Sequence, residues 1–151
     1  MVKALSKVGK PIAAVIIAGR PLVLESVVPL VDSVLYAWHL GVMAGPALAD
    51  LITGKVSPSG KLPCNFLRCE GQIPTYYNKK NSGRPNNSHE YRPFTSSYMD
   101  IDTTPLYPFG FGLSYTSFSY NDLKLSKNAF GFNESLLVSA VVRNEGTIKA
   151  D

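Results

Sequence analysis

The sequence predicts an α/β fold over residues 1–67 and the opening strands of an antiparallel β-sandwich over residues 113–151. Three observations carry this reading. Pro11 to Ala18 (PIAAVIIA) is a continuous apolar run rich in β-branched residues, the pattern of a strand buried on both faces of a parallel sheet. Ala47, Leu48, Leu51 and Ile52 fall at i, i+1, i+4 and i+5, one face of a short helix. Near the C-terminus Ser117, Ser119 and Asn121 interleave with Phe118, Tyr120 and Leu123, the two-residue period of a strand.

Taken in order, Val2 to Val8 reads as the end of a helix, with Gly9 just past its last residue as the C-cap. The first strand follows and is closed by Gly19-Arg20-Pro21, a turn signal. Leu22 to Val31 joins it to the next element, and Pro29 forbids a long regular helix there. Ser33 to Trp38 (SVLYAW) is the second strand. Pro46 suits the first turn of the following helix and Gly54 its end. Strand, crossover, strand, helix is the grammar of a helix-flanked sheet. Residues 68–112 then lose periodicity, yet hold Tyr76, Tyr77, Tyr91, Phe94, Tyr98, Tyr107, Phe109 and Phe111. Disordered segments are poor in aromatics, so this reads as an ordered excursion that packs its rings onto something larger. Leu136 to Val142 (LLVSAVV) is a further strand, followed by a turn at Asn144-Glu145-Gly146. Two strands are not stable alone, so the expectation is a β-domain left unfinished within these residues.

Composition bounds the function. A chain of 151 residues with 45% hydrophobic content has material for a sizeable core. Its net charge of +4 comes from 15 Lys and Arg scattered along the chain, with no basic stripe of the kind that tracks nucleic acid. The longest apolar run, Ile12 to Ala18, is far short of the ~20 residues of a membrane helix, and Met1-Val2-Lys3 does not open a secretory signal.

No residue set stands out as catalytic. Of the eleven carboxylates, Asp100 and Asp102 are spaced i, i+2 and would share a face only on a strand; a solvated loop pair is the plainer reading. His39 and His89 lack a nucleophile-elbow partner, since no G-x-S-x-G occurs. Ser59, in Pro58-Ser59-Gly60, reads as turn chemistry with Gly60 free to adopt positive φ. Cys64 and Cys69 are five apart with no second pair for zinc, and their facing parity disfavours a local disulfide. The glycines form no phosphate loop. No metal site and no cofactor are expected. Sequons stand at Asn86-Asn87-Ser88 and Asn133-Glu134-Ser135, triplets common by chance.

Several stretches combine into something specific. Gly9-Lys10-Pro11 enters the first strand and Gly19-Arg20-Pro21 leaves it. Trp38-x-x-Gly41-x-x-x-Gly45-x-Ala47-x-Ala49-Asp50-x-x-x-Gly54 leads to Pro58-Ser59-Gly60-Lys61-Leu62-Pro63. Gln72-Ile73-Pro74, Tyr76-Tyr77 and finally Leu106 to Thr116 (LYPFGFGLSYT) follow. In this order and spacing the chain resembles the C-terminal half of a family-three glycoside hydrolase of the β-glucosidase type. The resemblance runs from about Lys3 to Asp151, and the Pro58–Pro63 and Leu106–Thr116 blocks are its specific parts.

The resemblance implies a barrel upstream, then an α/β sandwich, then a fibronectin-type-III-like sandwich. Residues 1–67 would be the end of the α/β sandwich, 68–112 an aromatic-rich interdomain linker, and 113–151 the first strands of the fibronectin-like domain. It implies retaining hydrolysis of O-glycosidic bonds in β-glucosides or oligosaccharides by an Asp nucleophile and a Glu acid/base. No residue here matches either carboxylate motif, so the chain alone is expected to be inactive. The barrel is its implied partner, and the full-length parent would be periplasmic or extracellular. At Met43-Ala44 the family usually shows Glu-Gly. The resemblance makes Gly41, Gly45, Gly54 and Gly60 residues of tight turns and helix ends. It makes Tyr107, Phe109, Phe111, Tyr115 and Phe118 interdomain wedges. Tyr76, Tyr77 and Arg92 are candidate substrate-binding residues, because aromatics stack on pyranose faces, with packing between domains the alternative. A non-catalytic assembly or binding module and a non-functional remnant remain the other readings of the whole chain.

Overall fold

The computed structural model describes residues 1–81, 83–86 and 90–151. His89 and the Asn87-Ser88 part of the first sequon lie outside the described residues. The chain falls into two compact units, one of residues 1–44 and 61–112, the other of residues 45–60 and 113–151.

In the first unit α1 (Val2–Leu5) runs into a 3-10 turn at Ser6–Val8. Gly9, at φ 68°, ends it as the sequence predicts. Strands β1 (Ala13–Ile16) and β2 (Ser33–Tyr36) pair in parallel, Ala13 opposite Ser33 and Ile16 opposite Tyr36. Asp32 pins the start of the pair: its Oδ2 accepts the Ile12 N–H at 2.7 Å, and its own N–H donates to the Ile12 carbonyl at 2.9 Å. Between the strands Pro29 sits in a one-turn 3-10 helix, Val28–Leu30, the short element its missing N–H allows.

The expectation of a strand buried on both faces is not met. Ala14, Val15 and Ile16 are half-buried and Ala13 is exposed, because the sheet has two strands among the described residues. The core is correspondingly small. Leu24 and Phe66 are the buried hydrophobic residues among those described, and the apolar content that promised a sizeable core is largely at the surface.

In the second unit Gly45 to Ile52 continue the helix α2 (Ala44–Ile52), which carries Pro46 in its first turn. Gly54 follows its C-terminus at φ 75°, a conformation costly for any residue with a Cβ. Leu48 and Leu51 are half-buried while Ala47 and Ile52 are exposed, so only part of the predicted apolar face is covered. Strands β3 (Phe118–Leu125) and β4 (Val138–Asn144) pair antiparallel, with a register shift between Asn121 and Lys124. Asp122 sits there at φ 54°, the extra residue of a bulge. Beyond Phe118 and Ser119 this sheet is exposed on both faces.

Candidate functional site

The site-forming part of the first unit is built by closing residues 61–66 onto residues 106–112. Leu62 N donates to Phe111 O and Gly110 N to Leu62 O, both at 2.8 Å. Phe66 N donates to Tyr107 O and Leu106 N to Phe66 O, again at 2.8 Å. Lys61 Nζ caps the end, donating to Gly112 O at 2.7 Å. The segment after Lys61 and the aromatic segment after Leu106 thus lie side by side. At their centre Phe66 is 1% exposed. Its ring meets Tyr36 edge-on at 4.7 Å and Trp38 at 5.9 Å between centroids, geometries that suit aromatic quadrupoles. Burial pushes the Tyr36 phenol up from its ordinary range, against the opposing pull of a backbone hydrogen bond and of Arg20. Its OH donates to the Arg20 carbonyl.

Two buried amides hold the intervening excursion. Gln72, 1% exposed, donates from Nε2 to Asp102 O at 2.9 Å and Thr104 O at 3.3 Å, and accepts the Arg68 N–H at 2.7 Å. Asn65 accepts the Phe109 N–H at 2.7 Å and is 8% exposed. Arg68 adds a guanidinium bond to Thr104 O at 3.1 Å and a contact with Glu25 at 3.4 Å. Apart from the local Arg68–Gln72 bond these span 30 to 44 residues of sequence, so residues 68–112 are held by the polar side chains of Asn65, Arg68 and Gln72. The sequence singled out Gln72 as part of a motif. It gave no signal for Asn65, whose role depends on a neighbour 44 residues away.

Two cavities open in this unit. The smaller, of about 270 Å³, is lined by Glu90, Asp100 and Asp102 together with Tyr91 and Tyr98. Asp100 and Asp102 are in irregular backbone, as the loop reading holds, and Asp102 Oδ1 accepts the Thr104 N–H at 2.8 Å. The larger, of about 640 Å³, is lined by Asn65, Thr75, Tyr76, Tyr77, Lys79 and Phe109 among others. Tyr77 stacks on Phe109 with centroids 4.4 Å apart and planes 19° from parallel. Of the sequence candidates, Tyr76 and Tyr77 therefore share one cavity. Arg92 does not line it; Arg92 is exposed, and its carbonyl accepts the Thr95 hydroxyl at 2.6 Å.

The remaining candidates are placed as follows. His39 is exposed and packs on Gly19, where a Cβ would lie 2.3 Å from its Nε2. Ser59 and Gly60 lie in a segment without turn geometry, and Gly60 does not adopt positive φ, which corrects the turn reading. The structural partner in this stretch is Ser57, buried, whose Oγ accepts the Tyr115 N–H at 3.0 Å. Gly41 opens a turn to Ala44 and Gly45 lies in the first turn of α2. Only Gly54 of the four named glycines needs its conformation; a Cβ at the others would meet nothing within 4 Å. Tyr107 stacks on Phe111 at 4.7 Å, and the Tyr115 hydroxyl donates to Leu51 O at 2.8 Å. Cys64 and Cys69 are free and half-buried, and burial pushes the Cys64 thiol up. Among the described residues no group of three or more His, Cys, Asp or Glu could hold a metal ion. No helix of the described residues is long and apolar enough to cross a membrane.

Residues 1–115 match the family model for the glycosyl hydrolase family 3 C-terminal domain. Over 146 residues the chain is 42% identical to a periplasmic β-glucosidase of Salmonella typhimurium, covering 97% of this chain and 19% of that protein. A β-xylosidase of Formosa agariphila is 40% identical, over 100% of this chain and 20% of its own length. In structure, a mutant β-glucosidase from Listeria innocua in complex with laminaribiose superposes with a TM-score of 0.87 at 38% identity, covering 99% of this chain and 21% of that one. The chain thus spans about a fifth of the length of these relatives.

Proposed function

Because the chain belongs to glycosyl hydrolase family 3, we propose that its residues serve as the C-terminal part of a retaining β-glucosidase-like hydrolase acting on β-glucosides or oligosaccharides. Residues 1–67 are its closing α/β-sandwich segment, 68–112 its interdomain linker and 113–151 the first strands of a fibronectin-type-III-like sandwich. The nucleophilic Asp and the acid/base Glu lie outside these residues, so the chain by itself does not turn over substrate. The parent enzyme is periplasmic or extracellular, in keeping with the name of the Salmonella relative.

One observation carries this reading. The apolar surface is built for burial yet uncovered. Val42 is 99% exposed, Phe132 fully exposed, and Tyr120, Leu123, Leu137, Val141 and Val142 of the β3–β4 region are all more than half exposed. Exposed apolar area on this scale marks a surface that another body covers. A barrel-bearing partner segment is the body that the family supplies, together with the remaining strands of the sandwich.

The test is assembly. The 151-residue chain is mixed with a separately expressed segment carrying the barrel and the upstream α/β region, and aryl β-glucoside hydrolysis is followed. Restored turnover and a co-eluting complex are expected, with none from the chain alone. Turnover by the chain alone, or neither complex nor turnover on mixing, overturns the proposal.

A further inference from the structure

We infer that Lys79-Lys80 is a processing site for a trypsin-like endoprotease, and that the molecule persists after the cut as a non-covalent two-chain form. Three features carry this: unpaired cations, untied backbone beside them, and hydrogen bonds at the base of the excursion that outlast the cut.

Enzymes of that class seat a lysine or arginine side chain in a pocket that ends in a carboxylate. They act on exposed segments that are not tied into secondary structure. Most of the 15 Lys and Arg fail one of these requirements. Lys10, Arg20, Arg84 and Arg92 each precede a proline, whose ring replaces the N–H of the bond to be cut and crowds the cleft. Lys3 and Lys7 lie in helical turns, and Lys124 and Arg143 in the β3–β4 ladder. Lys61 and Arg68 donate to the carbonyls of Gly112 and Thr104. Lys55 and Lys127 are in loops, but each faces a carboxylate, Asp50 at 2.9 Å and Glu134 at 3.3 Å. The backbone beside them is tied as well, Val56 N to Asp50 O at 3.1 Å and Ser126 N to Leu137 O at 2.9 Å. A cut after Lys149 would remove Ala150-Asp151 alone.

Lys79 and Lys80 remain. Both are exposed in irregular backbone, as is Asn81. Lys79 N closes a turn onto Tyr76 O at 3.3 Å, and among the described residues neither Lys80 nor Asn81 makes a main-chain hydrogen bond. The bond from Lys80 to Asn81 can therefore enter an extended cleft without prior unfolding. Water is the co-reactant. The C–N bond breaks, the Lys80 carbonyl carbon takes the water oxygen as a carboxylate, and the Asn81 nitrogen leaves as an ammonium; nothing is oxidised or reduced.

The two pieces stay joined because the contacts at the base of the excursion run between them. Phe66 exchanges main-chain bonds with Leu106 and Tyr107, and Leu62 with Gly110 and Phe111. Gln72 holds the carbonyls of Asp102 and Thr104, and Asn65 the Phe109 N–H. In the second unit Tyr115 bonds to Ser57 Oγ and Leu51 O. None of these needs the covalent link at residue 80.

Limited trypsin digestion of the native 151-residue chain, read by intact mass and gel filtration, tests this. The first products are expected to end at Lys80 or Lys79 and to begin at Asn81 or Lys80, together heavier than the chain by one water. They should elute together at the position of the uncut chain and separate in concentrated urea. Lys79→Gln/Lys80→Gln should slow loss of the intact chain about tenfold, because the other sites wait on local opening. Lys127→Gln, at the rival loop, should leave the rate unchanged. A first cut elsewhere, a ladder of fragments, pieces that elute apart without urea, or an unchanged rate in the double variant overturns the proposal. The readout is fragment mass, so it stands apart from the hydrolase reading.

Discussion

Two amides close loops in this molecule by the same chemistry in opposite surroundings. Gln72 joins residues 68, 102 and 104 through three hydrogen bonds and is 1% exposed. Asn144, at the end of β4, makes as many: Oδ1 meets the Thr116 hydroxyl at 2.6 Å and the Gly146 N–H at 3.0 Å, and Nδ2 donates to Ile148 O at 2.8 Å. Asn144 is exposed. Water reaches the Asn144 side chain, whereas the Gln72 side chain is almost sealed from it. Stability is therefore expected to concentrate around Phe66 and Gln72, with the β3–β4 pair held mainly by its own ladder. Native-state hydrogen exchange should show it: the N–H groups of Leu62, Phe66, Leu106 and Gly110 exchange slowly, and those of β4 much faster.

The largest effect should come from Phe66→Ala. It empties the larger of the two buried apolar positions among the described residues, at a cost of about 3–5 kcal/mol. Near-UV circular dichroism from the Tyr36–Trp38–Phe66 cluster should collapse. A near-wild-type spectrum and urea midpoint would show that the cluster is not what holds the first unit. Gln72→Met comes next. The shape is roughly kept, but three hydrogen bonds go, and the Arg68 N–H loses the Gln72 oxygen, a penalty of about 1–3 kcal/mol when no water reaches it. Urea denaturation should register it, with faster exchange at Phe109 if the whole excursion loosens.

Between those extremes stands Tyr36, half-buried, whose phenol is pushed up chiefly by burial. A folded-state value above the unfolded one means that the neutral phenol is the form favoured by folding. This contribution is complete below about pH 10, the unfolded value, and is lost as pH rises toward the folded one. Tyr36→Phe should cost about 1 kcal/mol at neutral pH through the lost bond to Arg20 O. It should also flatten the decline in urea midpoint above that pH. An identical alkaline decline in the variant would assign it to other groups.

How far the sequence foretold this contrast depends on the range of the interaction. Local rules located β1, β2, α2 and β4 to within a few residues, and Gly9 and Gly54 as left-handed caps, because each depends on neighbours along the chain. Burial was misjudged for the same reason. PIAAVIIA is composed as a strand covered on both faces, and composition does not reveal that β1 has β2 as its partner and little above it. Asn65 was missed because nothing near it in sequence indicates a bond to Phe109. Gly60 was misread because Pro-Ser-Gly satisfies turn chemistry locally, while this stretch follows the partners of Ser57 and Lys61 instead. Tyr76 and Tyr77 were legible as aromatics of an ordered segment, read there as packing onto something larger; their exposure and their shared groove were not.

The smallest effect sharpens the comparison most. Asn144→Ala removes three hydrogen bonds, the number lost in Gln72→Met, so bond counting alone gives the two variants equal costs. Desolvation gives a different answer. The Gly146 N–H and the Ile148 carbonyl belong to exposed residues and the Thr116 hydroxyl to a half-buried one, and they regain water as Asn144 leaves. The loss should be about 0.5 kcal/mol, read as faster exchange at the β4 end of the pair with the urea midpoint of the first unit unchanged. A cost equal to that of Gln72→Met would mean that the open end of the β3–β4 pair is as dry as the interior around Gln72. The contrast between the two regions would then rest on packing around Phe66 and not on the burial of their polar groups.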